Sequence, residues 1–327
     1  MRTVNGGCRT MYEAHFGLRQ RPFPATPDPG CYYPATTHER SLGRLLRGLA
    51  DGEGLLALTG TPGSGKTLLG HCLVERLGPE VQPLFLTNSH VSDRVSLFQA
   101  ILFDLGLPYE GKGEQELRLM LTNHLLQAFT TGRPTILLVD EAQHLSADLL
   151  EELRLLGNLE GRSGKALQIV FLGQPAFLEG LKRPELTAFR QRLAVRAELQ
   201  PLGIQEAADY LLHHVRSAGG KPTRIFSDEA LELLARATGG VPRLLNQAAH
   251  QAMTLAAEAE AGEVDVEAAL EALNQLGLDE EANSVSTPGP ERAALKSDAA
   301  GLVPLTHQAP GGEGQEEDNS CRLFVAP

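Results

Sequence analysis

Gly60-Thr61-Pro62-Gly63-Ser64-Gly65-Lys66-Thr67 brings together the residue types that hold a triphosphate. Its glycines let successive backbone N–H groups turn inward around an anion, and a helix opening at the end of the loop adds its positive pole. A lysine at this position reaches the β- and γ-phosphates, and the threonine after it offers a hydroxyl to Mg²⁺. Leu68 continues the loop into the helix and is grouped with its binding residues. Further along, Thr135-Ile136-Leu137-Leu138-Val139 is an apolar run that ends in Asp140-Glu141. Apolar strands rarely finish in a carboxylate pair unless the pair faces a ligand. Asp140 is assigned to Mg²⁺, directly or through water, and Glu141 to orienting and activating the attacking water. The implied chemistry is hydrolysis of ATP with Mg²⁺, not nucleotide binding alone.

Three further positions complete that chemistry. Gln174 follows the run Gln168 to Leu172 and would present a polar side chain at the strand's C-terminal end, the edge where open α/β sheets bind ligands. Arg190 and Arg192 follow a short helical stretch beyond it, and Arg243 opens a helix after Gly239-Gly240-Val241-Pro242. Arginines supplied in cis or in trans stabilise charge on a transferring phosphoryl group.

The elements that position these residues read as alternating strands and helices. Short, largely apolar runs at 55–59, 82–86, 135–139 and 168–172 are strand candidates, and 196–199 is a fifth candidate. Helical patterns fill the gaps, among them 94–105 and 114–129. Continuous apolar strands between amphipathic helices imply a parallel sheet covered on both faces. After Pro201 the pattern becomes all-helical, with helices expected over 204–218, 228–238, 242–261 and 266–276. Ser227 is placed to cap the second of these, and Pro242 lies in the first turn of the third.

Composition bounds the rest. The chain has 327 residues, 42% of them apolar and 5% aromatic, and a formal charge of −12. Nine acids face three bases from Asp279 onward, so half of that charge belongs to the tail, and the total neither requires nor excludes a DNA partner. Cys8, Cys31, Cys72 and Cys321 show neither metal-ligand nor disulfide spacing, which suits reduced thiols in a cytoplasmic protein. No apolar stretch approaches the ~18–20 residues of a membrane span. The expected organisation is an arm at 1–10, an α/β core at 11–201, an all-helical lid at 202–278 and a disordered acidic tail at 279–327.

Taken together these residues resemble AAA+ ATPases of the general secretion pathway protein A type, close to the TniB/MuB-like transposition ATPases. The likeness runs from residue 11 to about 278. It is carried by Met11-Tyr12, Phe16-Gly17-Leu18, Pro22-Phe23, Pro27-Asp28-Pro29 and Tyr32-Tyr33, and then by the phosphate loop. Asp140-Glu141-Ala142-Gln143-His144-Leu145, Gly173-Gln174-Pro175, Arg190-Gln191-Arg192-Leu193 and Gly240-Val241-Pro242-Arg243-Leu244-Leu245-Asn246 continue it. The resemblance implies the AAA+ P-loop fold, Gln174 as sensor 1, Arg192 or Arg190 as a trans arginine finger and Arg243 as sensor 2 on the lid. It also implies that Tyr32 or Tyr33 packs near the adenine. A trans finger requires a homo-oligomeric ring or filament. The resemblance further implies Met11 as the customary start. Secretion-type members often continue into a membrane helix and a peptidoglycan-binding domain, where this chain has an acidic tail. The leading expectation is an ATPase that assembles or remodels a protein partner. The alternatives are a DNA-binding transposition ATPase and a slow-turnover signalling adaptor.

Overall fold

Leu55-Leu56-Ala57-Leu58 has no polar face, so a strand made from it must be covered on both sides. The computed structural model, which describes residues 11–26, 28–87, 91–161 and 164–278, arranges it so. The strands are β1 (Leu55–Gly60), β2 (Gln82–Leu86), β3 (Thr135–Val139), a short hairpin of β4 (Glu160–Gly161) and β5 (Gly164–Lys165), β6 (Leu167–Gly173) and β7 (Leu193–Leu199). Five of them form one parallel sheet in the order β2-β3-β6-β1-β7. Because β6 pairs with β3 on one side and with β1 on the other, the ends of β1, β3 and β6 lie side by side, with Leu58 opposite Leu172 and Val139 opposite Phe171. The phosphate loop, the acid pair and Gln174 leave the sheet at those three ends.

The first seven described helices are α1 (Met11–His15), α2 (Thr36–Ala50), α3 (Lys66–Leu77), α4 (Arg94–Asp104), α5 (Glu114–Thr130), α6 (Ala147–Leu156) and α7 (Pro175–Gly180). They are followed by α8 (Thr187–Arg192), α9 (Ile204–Ser217), α10 (Asp228–Ala237), α11 (Pro242–Glu258) and α12 (Val266–Leu276). Alternation along the strands divides the core between the two faces. Leu56, Leu58, Leu138, Val170 and Leu172 pack with Leu42 and Leu45 of α2 and Leu69 and Leu73 of α3. Leu55, Ala57, Leu137, Val139, Ile169 and Phe171 pack with α4, α5 and α6. The all-helical C-terminal part has its own core on α9 to α12, which also takes in Tyr12, Leu18 and Phe23 from the N-terminal segment. Among the described residues no helix is long and apolar enough to cross a membrane.

The expected strands are all present, with β7 beginning at Leu193 instead of Arg196. The third lid helix stops at Glu258, short of the expected Ala261: Glu260 takes a left-handed φ of 53°, and Ala261 N–H closes back onto Ala256 O at 2.9 Å. Ser227 caps α10 as expected, accepting from Ala230 N–H at 3.2 Å. The expected arm at 1–10 and tail at 279–327 lie outside the described residues.

Candidate nucleotide site

The loop after β1 is shaped by its glycines. Gly63 and Gly65 sit at φ of 82° and 94°, a region that costs other residues strain. Gly60 leaves room for Ser64, whose Oγ would lie 2.6 Å from any Cβ there. Ser64 Oγ is buried with no hydrogen-bond partner among the described residues. Lys66 opens α3, and its Nζ curls back to donate to Gly60 O and Thr61 O, both at 3.0 Å. Burial holds the Lys66 ammonium below its ordinary pKa; Glu141 and Asp140 oppose that and Arg243 adds to it. The buried carboxylate of Asp140 accepts from Thr67 Oγ1 at 2.6 Å and from Glu141 N–H at 2.8 Å.

A hydroxyl and a carboxylate oxygen this close are a hard-oxygen pair, the donor type that suits Mg²⁺. Among the described residues no group of three or more His, Cys, Asp or Glu gathers in metal-binding geometry. Phosphate-site Mg²⁺ ordinarily takes one or two protein oxygens and completes its shell with phosphate and water. Thr67 and Asp140 therefore fit the ion on their own.

Above the loop opens a cavity of about 460 Å³. Gly63, Gly65, Lys66, Thr67, Leu68 and Glu141 form one wall, and Pro242, Arg243 and Asn246 of α11 form the facing one. Phe23, Cys31, Tyr210 and His214 also line it. The two parts meet through the backbone: Arg243 N–H donates to Gly63 O at 3.2 Å, and a Cβ on Gly63 would stand 2.7 Å from Arg243 Cβ. Tyr32 and Tyr33 do not line this cavity; they line a smaller one of about 40 Å³ that shares Cys31, Gly65, Leu68 and Tyr210 with it. Tyr32 donates its hydroxyl to Glu39 at 2.9 Å, and Tyr33 stacks edge-on against Tyr210. Gln174 begins α7 at the end of β6. Arg190 and Arg192 are exposed at the end of α8 and do not line the cavity.

Two further residues support the site; neither has a role assigned from the sequence, although Gln143 stands in the Asp140–Leu145 motif. His38 of α2 is buried, and its Nε2–H donates to Ser64 O at 2.9 Å, bracing the phosphate loop from behind. Burial holds its imidazole below the ordinary pKa, so it serves as a neutral donor. Gln143 donates its amide to Glu141 Oε2 and accepts Gln174 N–H at 3.0 Å. Glu141 itself has a left-handed backbone, φ 50° and ψ 41°, a conformation that non-glycine residues adopt at a cost and that clusters at functional sites.

A loop of this form on a five-stranded parallel sheet, closed over by a helical part, matches known proteins. The AAA domain family matches residues 49–181. Those residues hold the phosphate loop, Asp140, Glu141, Gln143 and Gln174, while Arg190, Arg192 and Arg243 lie beyond the matched AAA domain. General secretion pathway protein A from Aeromonas hydrophila is 38% identical over 247 residues, which cover 75% of this chain and 45% of that protein. The chain thus spans less than half the length of that relative, and it resembles AAA+ ATPases of that type, as its motifs imply. Cdc6p from Pyrobaculum aerophilum superposes with a TM-score of 0.63 at 18% identity, over 80% of this chain and 70% of that one. Drosophila ORC bound to DNA gives 0.64 at 18% identity, over 84% and 69%. At such identities the likeness is one of fold.

Proposed function

We propose that this AAA domain hydrolyses ATP to ADP and phosphate, and that the chain uses the cycle to drive assembly or remodelling of a partner complex in a secretion-type setting. The observation that carries the hydrolytic part is the convergence of Lys66, Thr67, Glu141 and Arg243 on one cavity, with Asp140 bonded to Thr67. In this reading the backbone N–H groups of residues 60–67 and the start of α3 cradle the phosphates. Lys66 exchanges its two loop carbonyls for phosphate oxygens. Thr67 and Asp140 hold Mg²⁺, which neutralises phosphate charge. Glu141 orients the attacking water, and Gln174 senses the γ-phosphate from the end of β6. Arg243 reaches the phosphates from the helical side. We assign the base to the end of the cavity walled by Phe23, Tyr210 and His214, with Tyr32 and Tyr33 one layer behind.

The exposure of Arg190 and Arg192, away from their own cavity, supports a finger that acts on a neighbouring subunit's nucleotide. A ring or filament of identical subunits follows from that role. Within it residues 11–201 would serve as the ATPase core, 202–278 as the lid and 279–327 as an acidic tail, working in the cytoplasm.

The test is Glu141→Gln in the full chain. Turnover should fall by ~10²–10⁴-fold while ATP affinity is kept, and affinity capture on the variant should retain the partner. Wild-type turnover in Glu141→Gln would refute the assignment of Glu141. Strong stimulation of ATPase by duplex DNA at low salt would replace the protein partner with DNA.

A further inference from the structure

The amide of Gln143 has a role that its place in the chain does not announce. Its Nε2 faces a carboxylate oxygen of Glu141, which can only accept, and its Oε1 faces the backbone N–H of Gln174, which can only donate. The two partners therefore fix the orientation of the amide without ambiguity. The second amide hydrogen points at His144 Nε2, 3.3 Å away, which acts as acceptor. Gly173 makes the approach feasible: a Cβ there would lie 3.2 Å from Gln143 Oε1 and 3.3 Å from Phe177 Cβ. Gln143 thus spans the end of β3 and the end of β6, two adjacent strands whose paired residues Val139 and Phe171 lie just before the site.

Glu141 needs such a support. It leaves β3 in a left-handed turn, and its side chain lines the nucleotide cavity near Lys66, whose positive charge it favours. A glutamate carries several rotatable bonds, and general-base geometry is lost with shifts of an ångström. The bond from Gln143 holds Oε2.

We propose that Gln143 is a positioning residue for ATP hydrolysis: it anchors the Glu141 carboxylate to the backbone at Gln174, so that the water-activating group is held in register with the strand end that senses the γ-phosphate. This rests on the hydrolytic role of Glu141 proposed above. Gln143 touches neither phosphate nor water in this scheme and acts through Glu141 alone.

The experiment is a double-mutant cycle on the full chain, reading steady-state ATPase and the affinity of a fluorescent ATP analogue. Gln143→Met keeps length and removes both hydrogen bonds; kcat should fall ~10–100-fold, with KM and analogue affinity changed by less than about twofold. Gln143→Glu keeps the acceptor for Gln174 N–H but sets a like charge against Glu141, and its kcat should fall at least as far. In a Glu141→Gln background, Gln143→Met should alter the residual rate by less than about twofold, because the group it positions is gone. Equal losses in both backgrounds, a rise in KM without a fall in kcat, or wild-type turnover in Gln143→Glu would each overturn the proposal. Wild-type turnover no greater than that of Glu141→Gln would instead overturn the hydrolytic reading, and this proposal with it.

Discussion

His214 offers a prediction whose size follows from its surroundings. It lies on α9, 7% exposed, between Phe23 at 5.9 Å and Tyr210 at 4.4 Å between ring centroids. Its Nδ1 has no hydrogen-bond partner among the described residues. Burial, then the charge of neighbouring His213, lower its pKa from 6.5 to about 4, against a smaller opposing effect of a backbone bond at Pro22. The folded protein thus binds a proton at His214 more weakly than the unfolded chain does. Above pH 6.5 both states are neutral and nothing is lost; as pH falls from 6.5 toward 4 the unfolded state gains a proton that the folded state refuses. The linkage relation makes this a loss of about 2 kcal/mol at pH 5 and about 3 kcal/mol at pH 4. Urea unfolding of wild type and His214→Phe at pH 7.5, 6 and 5 separates this residue from His38, His213 and His250, which burial shifts in the same direction. The variant should lose less stability than wild type by about 2 kcal/mol between pH 7.5 and 5. Parallel pH–stability curves for the two proteins would refute the reasoning.

Three further outcomes are expected. Gly240→Ala should destabilise the chain by roughly 2–4 kcal/mol in thermal or urea unfolding, since φ is +70° and the added Cβ would stand 1.9 Å from the backbone oxygen of Leu202. Lys66→Ala should weaken ATP binding by ~10–100-fold in equilibrium titration, the worth of a charge-assisted phosphate contact, while leaving unfolding stability near wild type because the ammonium is held partly desolvated without ligand. Arg190→Ala and Arg192→Ala should keep ATP affinity, and at least one should abolish turnover in an assembled sample; unchanged turnover in both would refute the trans finger.

The centre of the β-sheet was legible because β1, β3 and β6 are local apolar runs buried along their whole length, whereas β7 alternates and carries Arg196 and Glu198, which hid its start. The phosphate loop and the acid pair were legible for the same reason: their chemistry is contiguous in the chain. Other features arise only from folding. Helix α2 has no assignment from the sequence although it carries six buried residues on one face, among them His38, Ser41 and Gly48. The brace from His38 to Ser64 spans 26 residues and the bond from Gln143 to Gln174 spans 31, so neither leaves a periodicity to read. Tyr32 and Tyr33, implied to lie near the adenine, line the adjoining smaller cavity; Tyr210 and His214 line both cavities, and Phe23, far earlier in the chain, lines the larger one.

The same long-range contacts decide how a change at the phosphates can be felt elsewhere. The helical part meets the phosphate loop through the backbone at Gly63, whose O accepts Arg243 N–H, and is tied within itself at Gly240, whose O accepts Leu202 N–H at 2.9 Å. Both glycines have positive φ, and both lie so close to their partners that any side chain would collide. Backbone contacts of this kind have no rotamers to absorb a displacement, so they would couple a shift of the loop to the start of α11. Arg243 stands one residue into that helix and faces the same cavity. In the proposed cycle, gain or loss of a γ-phosphate would act on α11 twice, through the side chain of Arg243 and through the carbonyl of Gly63. The Ala-rich packing of α11 against α12, with Ala248, Ala249, Ala252 and Ala256 buried, would give that motion a rigid lever to turn.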